Sequence, residues 1–74
     1  MTPDLRYEIT IYWSTEDEAF LAEVPDLPGC IADGATYESA LAEALAAIEA
    51  WIDTAHSIGR EVPAPRPKPH ALRP

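Results

Sequence analysis

The sequence predicts an α+β domain: an antiparallel sheet of three to four strands with one long helix packed on one face, in the order β-β-β-α-β. Three observations predict it. Residues 5–13, LRYEITIYW, alternate apolar and polar side chains. Residues 37–58 instead repeat apolar side chains at spacings of three and four. Short turn-forming stretches separate the remaining apolar runs at hairpin distances.

In the first stretch Leu5, Tyr7, Ile9, Ile11 and Trp13 fall on one side and Arg6, Glu8, Thr10 and Tyr12 on the other. A period of two with β-branched and aromatic residues marks a half-buried strand. STEDE then forms a polar turn, and AFLAEV resumes the extended pattern with Phe20, Ala22 and Val24 on one side and Leu21 and Glu23 opposite. So short a connection makes the pair an antiparallel hairpin.

VPDLPGC, residues 24–30, breaks the pattern with two prolines and a glycine. Pro25 has no N–H to give a central ladder and ends the second strand or confines it to an edge. Leu27-Pro28-Gly29-Cys30 suits a type II turn, with proline presetting φ at the second position and glycine supplying positive φ at the third. CIAD follows as a short third strand closed by Gly34. Thr36 is a good N-cap. Tyr37, Leu41, Ala44, Leu45, Ile48, Trp51, Ile52 and Ala55 define the apolar face of a helix near Tyr37 to Ile58, which Gly59 terminates. REVP, residues 60–63, is a candidate fourth strand, and the domain closes at residue 62. Residues 63–74 have prolines at 63, 65, 67 and 69 and read as an extended tail. Their spacing of two does not suit PxxP docking.

The chain has 74 residues and a net charge of −8, room for one domain of modest core. The charge is unevenly spread. From Tyr7 to Gly59 there are eleven acids and no Lys or Arg, whereas Arg60, Arg66, Lys68 and Arg73 outnumber Glu61 beyond it. An acidic body repels phosphate backbones and attracts a basic partner, so direct nucleic-acid binding is not expected. A single cysteine, no apolar run of membrane-spanning length and no basic, apolar leader in MTPDLRYEIT point to a cytoplasmic protein away from membranes.

Catalytic chemistry finds little support. Glu8, Glu23 and Asp33 lie on successive predicted strands, the pattern of a metal-dependent nuclease relic, but the body has no cations to hold nucleic acid. Cys30 beside Ile31 reads as a small buried apolar residue. His56, near the helix C-terminus, and His70, in the tail, make no ligand set. Trp13 and Trp51 fall on core faces. No cofactor, metal or enzymatic activity is expected.

Taken together, the strand ending in Tyr12-Trp13, the acidic turn, AEVPDLPGC, the short strand, DGATYESALAEALAAIEAWI and REVP resemble the HicB-like antitoxins over roughly residues 6–63. PDLPGC followed by GATYESAL is the most specific portion. The family usually has Glu at the position of Ser39, so Thr36 is expected to lose the Glu of a Thr-x-x-Glu capping box. The resemblance implies a partial ribonuclease H-like fold without that fold's catalytic set. It also implies a partner of the HicA type, a small basic toxin that cleaves mRNA through a histidine. Longer members add a DNA-binding domain; here a proline-rich tail stands in that place, so a repressor role is not expected. A self-associating acidic domain without a toxin is the alternative.

Two surfaces follow. Glu16, Asp17 and Glu18 at the first hairpin's tip, with Glu23 and Asp26, are the expected contacts for a basic toxin. Tyr12 and Leu21 lie on the sheet face left uncovered by the helix and are the expected interface of a homodimer or homotetramer.

Overall fold

A computed structural model describes residues 5–66. Three strands, β1 (Thr10–Ser14), β2 (Ala19–Glu23) and β3 (Ile31–Gly34), precede one helix, α1 (Tyr37–Ser57). The sheet is antiparallel in the order β1-β2-β3. This is the α+β architecture that the periodicities predict.

β1 starts five residues later than the alternation suggests, and β2 explains why. Thr10 pairs with Glu23, the last residue of β2. Beyond it comes Val24 and then Pro25, which has no N–H to offer a ladder. Leu5–Ile9 therefore stays outside the β1–β2 ladder and packs on the core, with Tyr7 buried and Leu5 and Ile9 half-buried.

REVP forms no strand: residues 60–66 are without regular secondary structure. Pro63 and Pro65 supply no donors, and the segment is held by side chains instead. Val62 packs against the core, and the Tyr7 hydroxyl donates to the Pro63 carbonyl. The expected extended tail beyond Arg66, with Lys68, His70 and Arg73, lies outside the described residues.

The chain reversal of residues 24–30 contains two consecutive turns. The Leu27 N–H donates to the Val24 carbonyl at 3.1 Å, and the Cys30 N–H to the Leu27 carbonyl at 2.9 Å. Gly29 has φ 79°, the left-handed conformation that a type II turn requires at its third position. The breakers do more than reverse the chain. Val24, Leu27 and Cys30 point inward at 2%, 0% and 6% exposure, joining Tyr7, Ile48 and Ile52 in the larger core cluster. Full burial of a side chain such as Leu27 stabilises the fold by roughly 1.5–3 kcal/mol.

α1 lies across the sheet with its N-terminal half on the strands and its C-terminal half on this turn. Over the strands the contact is built from alanines: Ala40 and Ala44 are fully buried against Ala22, flanked by Ile9, Ile11, Phe20 and Ala32. The predicted apolar face is thus rotated. Leu41 and Tyr37 are exposed, at 41% and 59%, while Ala40 takes the inward position. Where helix and sheet approach closely, the small side chain faces in and the large ones are displaced to the rim. Trp13 is corrected in the same way. It lies on the helix side of the sheet but beyond the helix, and is 51% exposed.

The helix ends also refine the expectation. Thr36 keeps a reciprocal cap, because Ser39 replaces the missing Glu: the Ser39 N–H donates to Thr36 Oγ1 and the Thr36 N–H to Ser39 Oγ, each at 3.0 Å. At the other end the Gly59 N–H reaches the His56 carbonyl and the Arg60 N–H the Ala55 carbonyl, a Schellman closure with Ile58 as C-cap.

Candidate partner-binding surface

The hairpin tip projects Glu16, Asp17 and Glu18 into solvent. It is an ordered turn. The Ser14 hydroxyl donates to Asp17 Oδ2 at 2.8 Å, and the Asp17 N–H returns a bond to Ser14 Oγ at 3.3 Å. Glu18 closes the turn with φ 49°, a conformation that costs a side-chain-bearing residue about 1 kcal/mol. Three carboxylates are thereby held within one four-residue loop.

Glu23 and Asp26 do not join them. β2 runs away from the tip, which places Glu23 about 13 Å along the strand from Ala19. Glu23 lies on the open sheet face, where its Oε2 accepts from the Tyr12 hydroxyl at 2.6 Å. That bond, more than burial or the nearby charges of Glu23 and Asp17, raises the phenol above its ordinary pKa. Asp26 is engaged within the chain. Its Oδ1 accepts from Arg66 Nε at 2.8 Å and its Oδ2 from the Arg66 backbone N–H at 3.2 Å. These bonds hold the carboxyl below its ordinary pKa. The Asp26 side chain is 6% exposed and that of Arg66 is 80% exposed. The five acids expected to act together thus occupy two ends of the sheet.

Tyr12 and Leu21 pair across β1 and β2 on the open face, as expected from their alternation. The register adds Ile31, which pairs with Glu23 on the same face and is 51% exposed. Alternation within CIAD carries that signal, since Ile31 is out of phase with inward-facing Cys30. On the opposite side, Trp13 meets Phe20 edge-on at 5.1 Å between ring centroids, and Phe20 meets Tyr37 at 4.2 Å. No local pattern indicates this aromatic cluster, because Tyr37 joins it only through the helix's tertiary placement.

A groove of about 300 Å³ separates the 24–30 turn from the helix, lined by Gly29, Cys30, Ile31, Ala47, Trp51 and Arg60 among others. The indole N–H of Trp51 donates to the Pro28 carbonyl at 3.0 Å, and the Arg60 guanidinium lies 5.0 Å from the indole centroid. Trp51 thus ties helix to turn, and is half-buried rather than central to the core. Burial raises the Cys30 thiol above its ordinary pKa, which disfavours the reactive thiolate. Among the described residues no group of three or more His, Cys, Asp or Glu could hold a metal ion. Nor is any helix there long and apolar enough to cross a membrane.

A family described as the HicB-like antitoxin of bacterial toxin-antitoxin systems matches residues 7–71. The chain belongs to the HicB-like antitoxin family. Another sequence similar to this HicB-like chain is the UPF0150 protein ssl0259 of Synechocystis sp., 37% identical over 59 residues, which covers 80% of each chain. Among solved structures, TTHA0281 from Thermus thermophilus is 29% identical with a TM-score of 0.64, the match covering 81% of this chain and 82% of that one. Membership in a HicB-like antitoxin family supports an antitoxin role, implies a toxin as partner and suggests that the chain's work is binding rather than catalysis.

Proposed function

We propose that this HicB-like chain neutralises a small basic mRNA-cleaving toxin of the HicA type by direct protein contact in the cytoplasm. The observation that carries the reading is the charge of the body, eleven acids and no Lys or Arg between Tyr7 and Gly59. Glu16, Asp17 and Glu18 are the leading contacts, since they are exposed on one ordered loop. Glu23 extends the acidic surface onto the open face. Asp26 joins it only by releasing Arg66. The body's charge also argues against direct binding to DNA. Residues 63–74 would form a proline-rich cationic tail on the acidic domain.

The apolar band of exposed Tyr12 and Ile31 with half-buried Leu21 favours self-association as a homodimer or homotetramer. Self-association without a toxin is the second reading.

Stopped-flow association with a HicA-type toxin tests the first reading. Exposed charges steer encounter more than they hold a complex, so changing Glu16, Asp17 and Glu18 together to Lys should slow association about tenfold at low ionic strength. The salt dependence should flatten, while dissociation changes less. A wild-type association rate in low salt would remove the hairpin tip from the interface.

A further inference from the structure

Within the described residues β1 pairs only with β2 and is an edge of the sheet. Among the described residues, no backbone bond outside the ladder ties Thr10–Ser14 to another segment. An open edge presents unpaired N–H and C=O groups, and proteins usually blunt it with Lys, Pro, a bulge or extreme shortness. β1 has none of the first two: Thr-Ile-Tyr-Trp-Ser is free of charge and proline and composed mostly of strong strand formers. Its partner register with β2 is unbroken, so no bulge turns it away. The other edge differs. β3 is four residues long, includes Asp33, and ends at Gly34 beneath the helix N-terminus.

We infer that β1 pairs antiparallel with β1 of a second copy, about a two-fold axis at Tyr12, joining two three-stranded sheets into one of six strands. This register sets Thr10 opposite Ser14 of the partner subunit and Ile11 opposite Trp13 of the partner subunit. Both helices remain on one side of the joined sheet. There the exposed Trp13 ring gains an aliphatic neighbour, an aromatic–β-branched pair of the kind that stabilises sheets. On the open side the two Tyr12 rings meet, and the apolar bands become continuous across the junction.

Charge selects the occupant. A basic toxin would be drawn to carboxylates, and β1 has none. The edge is instead a neutral interval in an acidic surface, where two copies of net charge −8 can approach without opposing carboxylates within the strand. The inference goes beyond toxin binding and does not depend on it.

The test combines sedimentation equilibrium with amide hydrogen exchange read by NMR, on the full chain from about 1 μM to about 1 mM. A dimer is expected, in which alternate β1 amides exchange on the order of tenfold more slowly at high concentration while β3 amides do not change. Raising NaCl from about 20 to about 300 mM should tighten the dimer several-fold by screening its net charge. Toxin binding has the opposite salt dependence, so the failure of either idea leaves the other standing. Tyr12→Lys sets like charges directly opposite at the axis and should return a folded monomer, with its fold checked by circular dichroism. A strict monomer at the highest concentration overturns the inference. So does a dimer without β1 protection, which would mean stacking through the open face, or protection that appears only when a basic protein is added.

Discussion

Glu18 shows how much one residue contributes to the acidic tip. Its φ of 49° lies in the region that L side chains avoid and glycine enters freely. The turn therefore holds a carboxylate where stability alone would favour Gly or Asn. Glu18→Gly should raise unfolding stability by about 0.5–1 kcal/mol, seen as a melting temperature a few degrees higher. A drop in stability would mean that the side chain makes contacts that outweigh the strain. STEDE is recognisable as a turn from composition, but neither the strain at Glu18 nor the Ser14–Asp17 bonds can be read there. Backbone angles at a loop tip follow from loop length and register, which the alternating pattern fixes only once the paired residues are known.

At the scale of elements, the join between β3 and α1 is the tightest. A Cβ on Gly34 would lie 2.5 Å from the Ala40 backbone nitrogen and 2.8 Å from the Ser39 carbonyl carbon, closer than atoms can approach. The alanine contact beneath the helix depends on that closeness. Gly34→Ala should therefore destabilise the protein by about 2 kcal/mol, and thermal melting should fall by on the order of 10 °C. An unchanged melting temperature would show that the helix N-terminus can shift to make room. The same join marks the limit of what the sequence makes legible. Helical periodicity identified the face to within one residue, since Ala40 and Leu41 are neighbours. Hydrophobicity then favoured leucine, whereas the space available favours alanine. The Thr36 cap was readable, but its completion by Ser39 was not, because serine lacks the reach that makes glutamate recognisable at that position. REVP has the composition of a strand, but Pro63, and Pro65 just beyond it, withhold donors a ladder needs.

For the molecule as a whole, the two ends of the described chain are fastened at the corner opposite the acidic tip, about 17 Å away along β1. One fastening is Asp26–Arg66, a pairing across 40 residues that no local pattern reveals. Asp26 has a lower pKa folded than its ordinary 3.8, so its pairing stabilises the fold above that value and is lost as pH falls through the folded pKa. The carboxyl of Asp26, followed by NMR, should titrate below the ordinary range, and Arg66→Ala should return it toward 3.8. The stability difference between the two proteins should be small at pH 6, because Arg66 is largely exposed, and should vanish in acid. An Asp26 titration unmoved by the substitution would exclude the pair in solution. The second fastening joins Tyr7 to Pro63, with Val62 packed on the same core as Leu5 and Ile9. It makes the termini interdependent. A peptidase that trims the C-terminal side past Val62 removes the Pro63 acceptor of the Tyr7 hydroxyl and takes Val62 from the core on which Leu5 also packs, so erosion begun at one end spreads to the other. Degradation would thus enter at this corner, with the acidic hairpin tip the last part to lose its shape.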